Sequence, residues 1–264
     1  MKTYSTKDIK NIALLGNSGA GKTTLVEAML FEGGVIPRRG DVDHKNTVSD
    51  FHQIEQENQT TMYSSVMYTE YNGKKINILD VPGADDFVGG TVSSLHVADT
   101  GVILVNAQNG VEVGTEIHSR WLEKFNKPAV VVVNKCDHDL ANFDKAFETV
   151  KESLGSGAVL AQYPVNAGPG FDSIVDIILF KLFKYSKDGG KPEITDIPDS
   201  ELERAEELRN ELIEKAAEND EALMELFFEN DGLTEDEMRS GITAGVIARG
   251  MFPVFCMSAR NNMG

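Results

Sequence analysis

Residues 11–32 read Asn11-Ile12-Ala13-Leu14-Leu15-Gly16-Asn17-Ser18-Gly19-Ala20-Gly21-Lys22-Thr23-Thr24-Leu25-Val26-Glu27-Ala28-Met29-Leu30-Phe31-Glu32. An apolar run, a glycine-rich turn and a helix-forming stretch follow one another without a break. Gly16 to Thr23 fits G-x-x-x-x-G-K-[ST], and the match has meaning because it follows a strand and opens a helix. Glycines let main-chain N–H groups turn inward around phosphates. Lys22 reaches the β and γ oxygens, and the Thr23 hydroxyl is placed to hold Mg2+. The helix N-terminus adds a favourable partial charge. A glycine-rich turn with a chance lysine is the bland alternative, and four fixed positions between the right elements weigh against it.

Working outward, apolar runs bounded by turn residues recur at 75–80, 101–107, 129–134 and 252–258, as expected of strands covered on both faces. Helix-like stretches at 22–32, 113–126 and 142–154 lie between most of them. The alternation predicts an α/β fold with a doubly wound, mainly parallel sheet. The rhythm breaks between Leu154 and Phe252, where an inserted α+β subdomain is expected. Its bounds are set at 158–250, leaving 1–157 and 251–264 as the main domain. The insert opens with strand-like Val159–Val165 and Ile174–Phe183. It turns helical from Asp199, where Asp-Ser-Glu-Leu supplies a cap and acids in the first turn. Leu202, Ala205, Leu208, Leu212 and Ala216 then recur at helical spacing.

The balance of 41% hydrophobic and 25% charged residues excludes disordered and fibrous classes. Charge is uneven: residues 188–239 hold 19 acidic against 5 basic residues, a net of -14 within a total of -17. Solvated helix faces or a docking surface for a basic partner both fit this segment. Its field repels phosphates, which disfavours direct nucleic-acid binding there. No apolar run reaches membrane-spanning length, and the polar N-terminus from Met1 and Lys2 is unlike a signal peptide, so a cytoplasmic location is expected. Cys136 and Cys256 read as two reduced thiols without metal-ligand spacing. His44, His52, His96, His118 and His138 also lack ligand spacing and read as surface or helix-face residues.

Two further strand ends carry chemistry. Asp80 closes the run Ile76-Asn77-Ile78-Leu79 and is followed by Val81-Pro82-Gly83, which reads as a Mg2+-side carboxylate and a glycine N–H for the γ-phosphate. Asn134-Lys135-Cys136-Asp137 ends the run Val130–Val133, where ligands bind in open α/β sheets. The Asp137 carboxylate accepts from both N1–H and N2–H of guanine, whereas adenine would face it with a lone pair. A mismatch of that kind is worth about 10⁴-fold. Ser258-Ala259-Arg260, after the last strand, can offer main-chain N–H groups to guanine O6.

With these residues in place, all 264 positions resemble the translational GTPases, and within them elongation factor G. Thr47 to Thr61, with Glu55-Gln56-Glu57 at its centre, looks like the family's first switch. Asn219 to Glu225 resembles the family's extra subdomain, and Pro253 to Ala259 the strand leading to its guanine loop. The resemblance implies GTP/GDP and Mg2+ as cofactors. Asn17, Ser18, Gly19, Ala20, Gly21, Lys22, Thr23, Thr24, Asn134, Lys135, Asp137, Ser258, Ala259 and Arg260 would bind nucleotide; Thr23, Thr61 and Asp80 would face the metal. It implies the ribosome as partner, through large-subunit RNA and the stalk protein, with neither DNA nor membrane, and a monomer. Family members continue into further domains, so this chain is expected to be a fragment that binds nucleotide without translocating by itself.

Three departures stand out. Where the family has Asp-x-Pro-Gly-His, whose His orders the attacking water, this chain has Ala84; Lys22 and Gly83 are the remaining catalytic-side residues. Gly19 replaces the usual Asp, and Asn58-Gln59-Thr60 replaces Arg-Gly-Ile. Binding is expected to survive and hydrolysis to be slow or absent. The alternatives are a GTP-controlled binding module and a protection protein of the tetracycline-resistance kind, which Gly40-Asp41-Val42-Asp43 and Ser258 to Gly264 also resemble. A P-loop kinase or ATPase is opposed by Asn134 to Asp137.

Overall fold

The computed structural model describes residues 3–187, 189–230 and 232–264. Met1 and Lys2 of the N-terminal reading, and Asp188 and Asp231 of the acidic segment, lie outside the described residues. The chain divides into two compact units: the residues up to Asn106 with Val111–Lys127, and Ala107–Gly110 with Pro128–Gly264.

The first unit contains β1 (Ile9–Leu15), α1 (Lys22–Glu32), α2 (Gln53–Asn58), β2 (Ser65–Tyr71), β3 (Lys74–Asp80), α3 (Val88–Val97), β4 (Thr100–Asn106) and α4 (Val113–Lys124). Its strands lie in the order β2-β3-β1-β4. β1 runs parallel to β3 and β4, and β2 pairs antiparallel with β3. Leu14, Leu15, Ile78, Leu95, Ile103 and Leu104 are fully buried, so burial of this apolar set fixes the register of the three parallel strands.

Two of these elements are not announced by hydrophobic period. In β2 the inward positions are Ser65 and Thr69, while Val66, Tyr68 and Tyr71 are exposed, the reverse of the usual alternation. α3 begins Val88-Gly89-Gly90, and its buried positions include Thr91 and Ser94 beside Leu95. Its glycines are poor helix formers, so tertiary packing rather than propensity sustains it.

The second unit contains β5 (Ala129–Asn134), α5 (Phe143–Leu154), β6 (Ala158–Leu160), β7 (Gln162–Pro164), β8 (Ser173–Asp176), β9 (Lys181–Lys184), β10 (Glu193–Thr195), α6 (Asp199–Ala217), α7 (Glu221–Asn230), α8 (Glu235–Ala248) and β11 (Phe252–Cys256). β11 lies between β5 and β6 and is parallel to both. The strand expected over Val159–Val165 is therefore two strands, since β6 joins β11 whereas β7 pairs with β8 in an antiparallel sheet ordered β10-β9-β8-β7. The run Ile174–Phe183 is likewise two strands. Asp176 Oδ1 accepts from Leu179 N at 2.7 Å, which turns the chain back on itself between β8 and β9.

α6 buries Ala205, Leu212 and Ala216 of the series read from the sequence, with Ile213 and Ala217 beside them, while Leu202 and Leu208 are only half-buried. Asp199 does not cap it: the N-cap is Pro198, and Asp199 sits inside the first turn, where its charge still favours the helix dipole. Thr234, by contrast, forms a reciprocal cap on α8 with Glu237. Arg209 of α6 donates from Nη1 to Ile177 O at 2.7 Å and Ile178 O at 3.1 Å, and its guanidinium lies 5.1 Å from the Phe180 ring centre. Arg209→Ala strips two carbonyls of a charged donor and should cost about 2 kcal/mol. Urea denaturation checks it, with Arg209→Lys expected to recover only part of the loss.

Candidate nucleotide-binding site

The residues expected to face phosphate come together in the first unit. Gly16, Gly19 and Gly21 all adopt positive φ, at 127°, 79° and 97°, which carries the chain from the end of β1 into α1 through a turn most side chains cannot enter. Lys22 is buried, with Nζ donating to Gly16 O at 2.9 Å and Asn17 O at 3.0 Å. Two of the ammonium's three N–H groups thus hold the loop, leaving the third for an anionic oxygen. Burial pulls its pKa down to about 8, opposed by the charges of Asp80 and Asp50. Asn17 is pinned on both sides: its N–H donates to Thr115 Oγ1 at 3.3 Å, and its Oδ1 accepts from Gly114 N at 3.2 Å. Ser18 and Gly19 are exposed at the tip, Ala20 is buried, and Thr24 is half-buried in the first turn of α1.

Thr23, Thr61 and Asp80 converge although 38 and 57 residues separate the latter two from Thr23. The Thr23 hydroxyl donates to Asp80 Oδ2 at 3.0 Å and lies 3.1 Å from Thr61 Oγ1. Asp80 is fully buried, and desolvation raises its pKa against the pull of Lys22. Asp50, to which the sequence reading gave no role, stands in the same cluster with its carboxyl pushed up to about 6, again chiefly by burial. Ser49 Oγ, Asp50 Oδ1 and Asp80 Oδ1 are buried without a hydrogen-bond partner. The Ser49 hydroxyl is near enough to Asp80 to lower its pKa but does not meet hydrogen-bond geometry. Unmatched hard oxygens beside two threonine hydroxyls suit Mg2+, which takes one or two carboxylates and completes its shell with waters and phosphate oxygens.

Two buried glutamates hold the segment from Gly40 to Tyr63, which resembles a first switch and brings Thr61 to this cluster. Glu27 of α1 accepts from Gly40 N at 2.6 Å and Val48 N at 2.5 Å. Glu55 of α2 accepts from Met62 N and Tyr63 N, each at 3.0 Å, and closes a capping box with His52. Charge-assisted bonds to main-chain N–H groups are the stronger kind, so the segment from Gly40 to Tyr63 owes its path to carboxylates within the chain.

Gly83 follows β3 and presses on the phosphate loop. A Cβ there would overlap Lys22 Nζ and stand 2.6 Å from Ser18 N, so only glycine fits. Ala84 comes next, half-buried and extended, at the head of a short turn in which Phe87 N donates to Ala84 O at 3.1 Å. Asp85 and Asp86 are exposed.

His118 departs from the surface reading. It is 2% exposed, and its Nδ1 accepts from Gly16 N at 2.8 Å while Nε2 lies 3.1 Å from Thr91 Oγ1. An N–H aimed at Nδ1 requires the proton on Nε2, which then donates to Thr91. Burial, with the Lys22 charge, pushes the imidazole pKa down to about 3. The spacing of α4 alone does not show that this histidine faces the phosphate loop.

The residues expected to face the base come together in the second unit. Asn134 is buried at the end of β5, and its Oδ1 accepts from Ala259 N at 3.0 Å. Lys135 follows at a left-handed φ of 64°. Asp137 is half-buried and Arg260 exposed, while Ser258 and Ala259 are buried in the turn after β11. Ser258 and Met263 exchange main-chain bonds of 2.8 and 3.1 Å, and the Ser258 hydroxyl accepts from Asn261 N at 3.1 Å. Asn261 Nδ2 donates to Asp137 Oδ2 at 3.0 Å, a contact the sequence reading missed. Cys136 is fully buried, and desolvation drives its thiol pKa up to about 12.

A mainly parallel sheet with a glycine-rich turn after its first strand defines the α/β P-loop GTPase fold. Residues 7–264 match the family model of the elongation factor Tu GTP binding domain, and the chain belongs to that family. It is a GTP-binding translation-factor domain. A crystal structure of a protein from Thermus thermophilus superposes with a TM-score of 0.91, at 30% identity over 97% of this chain and 38% of that one. The chain thus spans well under half of that relative's length. Among the described residues, no helix is long and apolar enough to cross a membrane.

Two outcomes follow from the geometry. Between pH 6.5 and about 3 the unfolded chain takes up a proton at His118 that the folded chain refuses, so acidification through that window lowers stability. His118→Asn should be the less stable protein at neutral pH. Its deficit should shrink on acidification by up to about 1.4 kcal/mol per pH unit, as thermal melts against pH would record. Glu55→Gln replaces a charged acceptor and should speed amide exchange at Met62 and Tyr63 by about tenfold, readable by mass spectrometry.

Proposed function

We propose that the first unit's set, Asn17 to Thr24 with Gly83, takes the triphosphate of GTP, and that Asn134, Lys135, Asp137 and Ser258 to Arg260 take its guanine. Thr23, Thr61 and Asp80 would hold Mg2+, which supplies charge neutralisation on the phosphate oxygens. Lys22 contributes a fixed cation, and the amides of the glycine turn contribute donors that need no reorganisation. As part of a longer cytoplasmic, monomeric protein, the domain serves an elongation factor G-like factor on the ribosome in translocation, with large-subunit RNA and the stalk protein as contacts.

Hydrolysis is slow in this reading, and the observation that carries it is the side chain after Gly83. Gly83 sits against Lys22, so the next side chain is the one placed to order an attacking water, and it is a methyl group. Asp85 and Asp86 are exposed, and a carboxylate near the γ-phosphate is electrostatically unfavourable. His118 has both ring nitrogens engaged and cannot substitute. The same methyl group favours a second reading, a GTP-controlled ribosome-binding module that works without hydrolysis.

Calorimetry should find GTP and GDP bound with Mg2+ and ATP rejected; equal binding of ATP would overturn the base assignment. Single-turnover hydrolysis on ribosomes by the full-length protein should be slow, and Ala84→His should raise it by about 10²- to 10⁴-fold. A wild-type rate already matching that of the variant would refute the role given to Ala84.

A further inference from the structure

We propose that Asn261 is a positioning residue for guanine selection, fixing the plane of the Asp137 carboxylate so that both oxygens meet the base. The inference rests on the reading of Asp137 as the guanine acceptor. Rotation of an aspartate carboxylate about its last torsion is broad, with no sharp preferred angle. Two parallel donors, N1–H and N2–H, need both oxygens in the plane of the base. An unanchored carboxylate would lose freedom on binding, and that loss weakens the complex.

Asn261 removes the freedom beforehand. Its Nδ2 holds Asp137 Oδ2 at 3.0 Å, and a carboxylate oxygen has lone pairs enough to accept from a base as well. Asn261 is itself anchored, because its N–H donates to Ser258 Oγ at 3.1 Å and the Ser258–Met263 bridge closes the turn around it. The next residue, Asn262, has φ of 56°, and its carbonyl accepts from Gly190 N at 2.9 Å. A chain of fixed groups therefore runs from the Gly190 loop and the β11 turn to the carboxylate. Direct contact of Asn261 with the base is not required.

The test compares GDP with inosine diphosphate, which lacks the 2-amino group, by calorimetry with Mg2+ present. Wild-type protein should prefer GDP. Asn261→Ala should weaken GDP by about tenfold and inosine diphosphate by less, so that the preference narrows. Asn261→Asp, nearly isosteric, sets a second carboxylate against Asp137 and should weaken GDP further. Thermal melts confirm that each variant is folded. Equal weakening of both nucleotides would mark Asn261 as merely structural and overturn the proposal, as would unchanged GDP binding in Asn261→Asp. If the wild-type protein binds ADP as well as GDP, the reading of Asp137 itself fails, an outcome separate from the variants' behaviour.

Discussion

The burial of an ammonium group governs the first unit. Lys22 is nearly inaccessible to water, and an isolated charge in that position would be ruinous. It is tolerated because two loop carbonyls accept hydrogen bonds from it and Asp80 and Asp50 lie close enough to favour its charged form. Burial also pushes both carboxyls upward, and Asp50 Oδ1 and Asp80 Oδ1 are left without a hydrogen-bond partner. Such a set is stable enough to fold, and its unmatched oxygens are what the proposed hard cation would satisfy. Gly83 packs into it because no side chain can be spared there.

The segment from Gly40 to Tyr63 is built on a related principle. Glu27 and Glu55 turn inward and accept main-chain N–H groups from a segment with little regular structure of its own. Its apolar side chains stay outside: Phe51, Ile54 and Tyr63 are exposed, and the His52 ring lies 4.3 Å from Phe51 and 4.7 Å from Tyr63. Buried polar bonds rather than a hydrophobic core therefore give the loop its course. That arrangement delivers Thr61 to Thr23 and Asp80.

Much of this was legible in the residues. The loop from Gly16 to Thr23 and the alternation around it point to the fold because phosphate turns and parallel strands have strong local signatures. Asn134 to Asp137 stands out for its place directly after a buried strand of that sheet, where ligands bind in open α/β folds. What escaped were residues whose partners lie far along the chain. His118 reads as one more helical histidine until Gly16 is found 102 residues away, and Asn261 reads as a turn residue until Asp137 is found 124 away. β2 was hidden because its inward positions are hydroxyl-bearing, and α3 because glycines open it. The insert's strands were found but fused, as a two-residue-period pattern cannot show that Ala161 separates one sheet from another.

Cys136 stands between Lys135 and Asp137, in the middle of the turn assigned to guanine, and its sulfur lies 3.4 Å from Val133 O with no exposure to solvent. Alkylating electrophiles and peroxide attack thiolates, and a thiol held protonated up to about pH 12 offers almost none. The turn proposed to read the base is thereby shielded from such attack even though a sulfur atom sits at its centre.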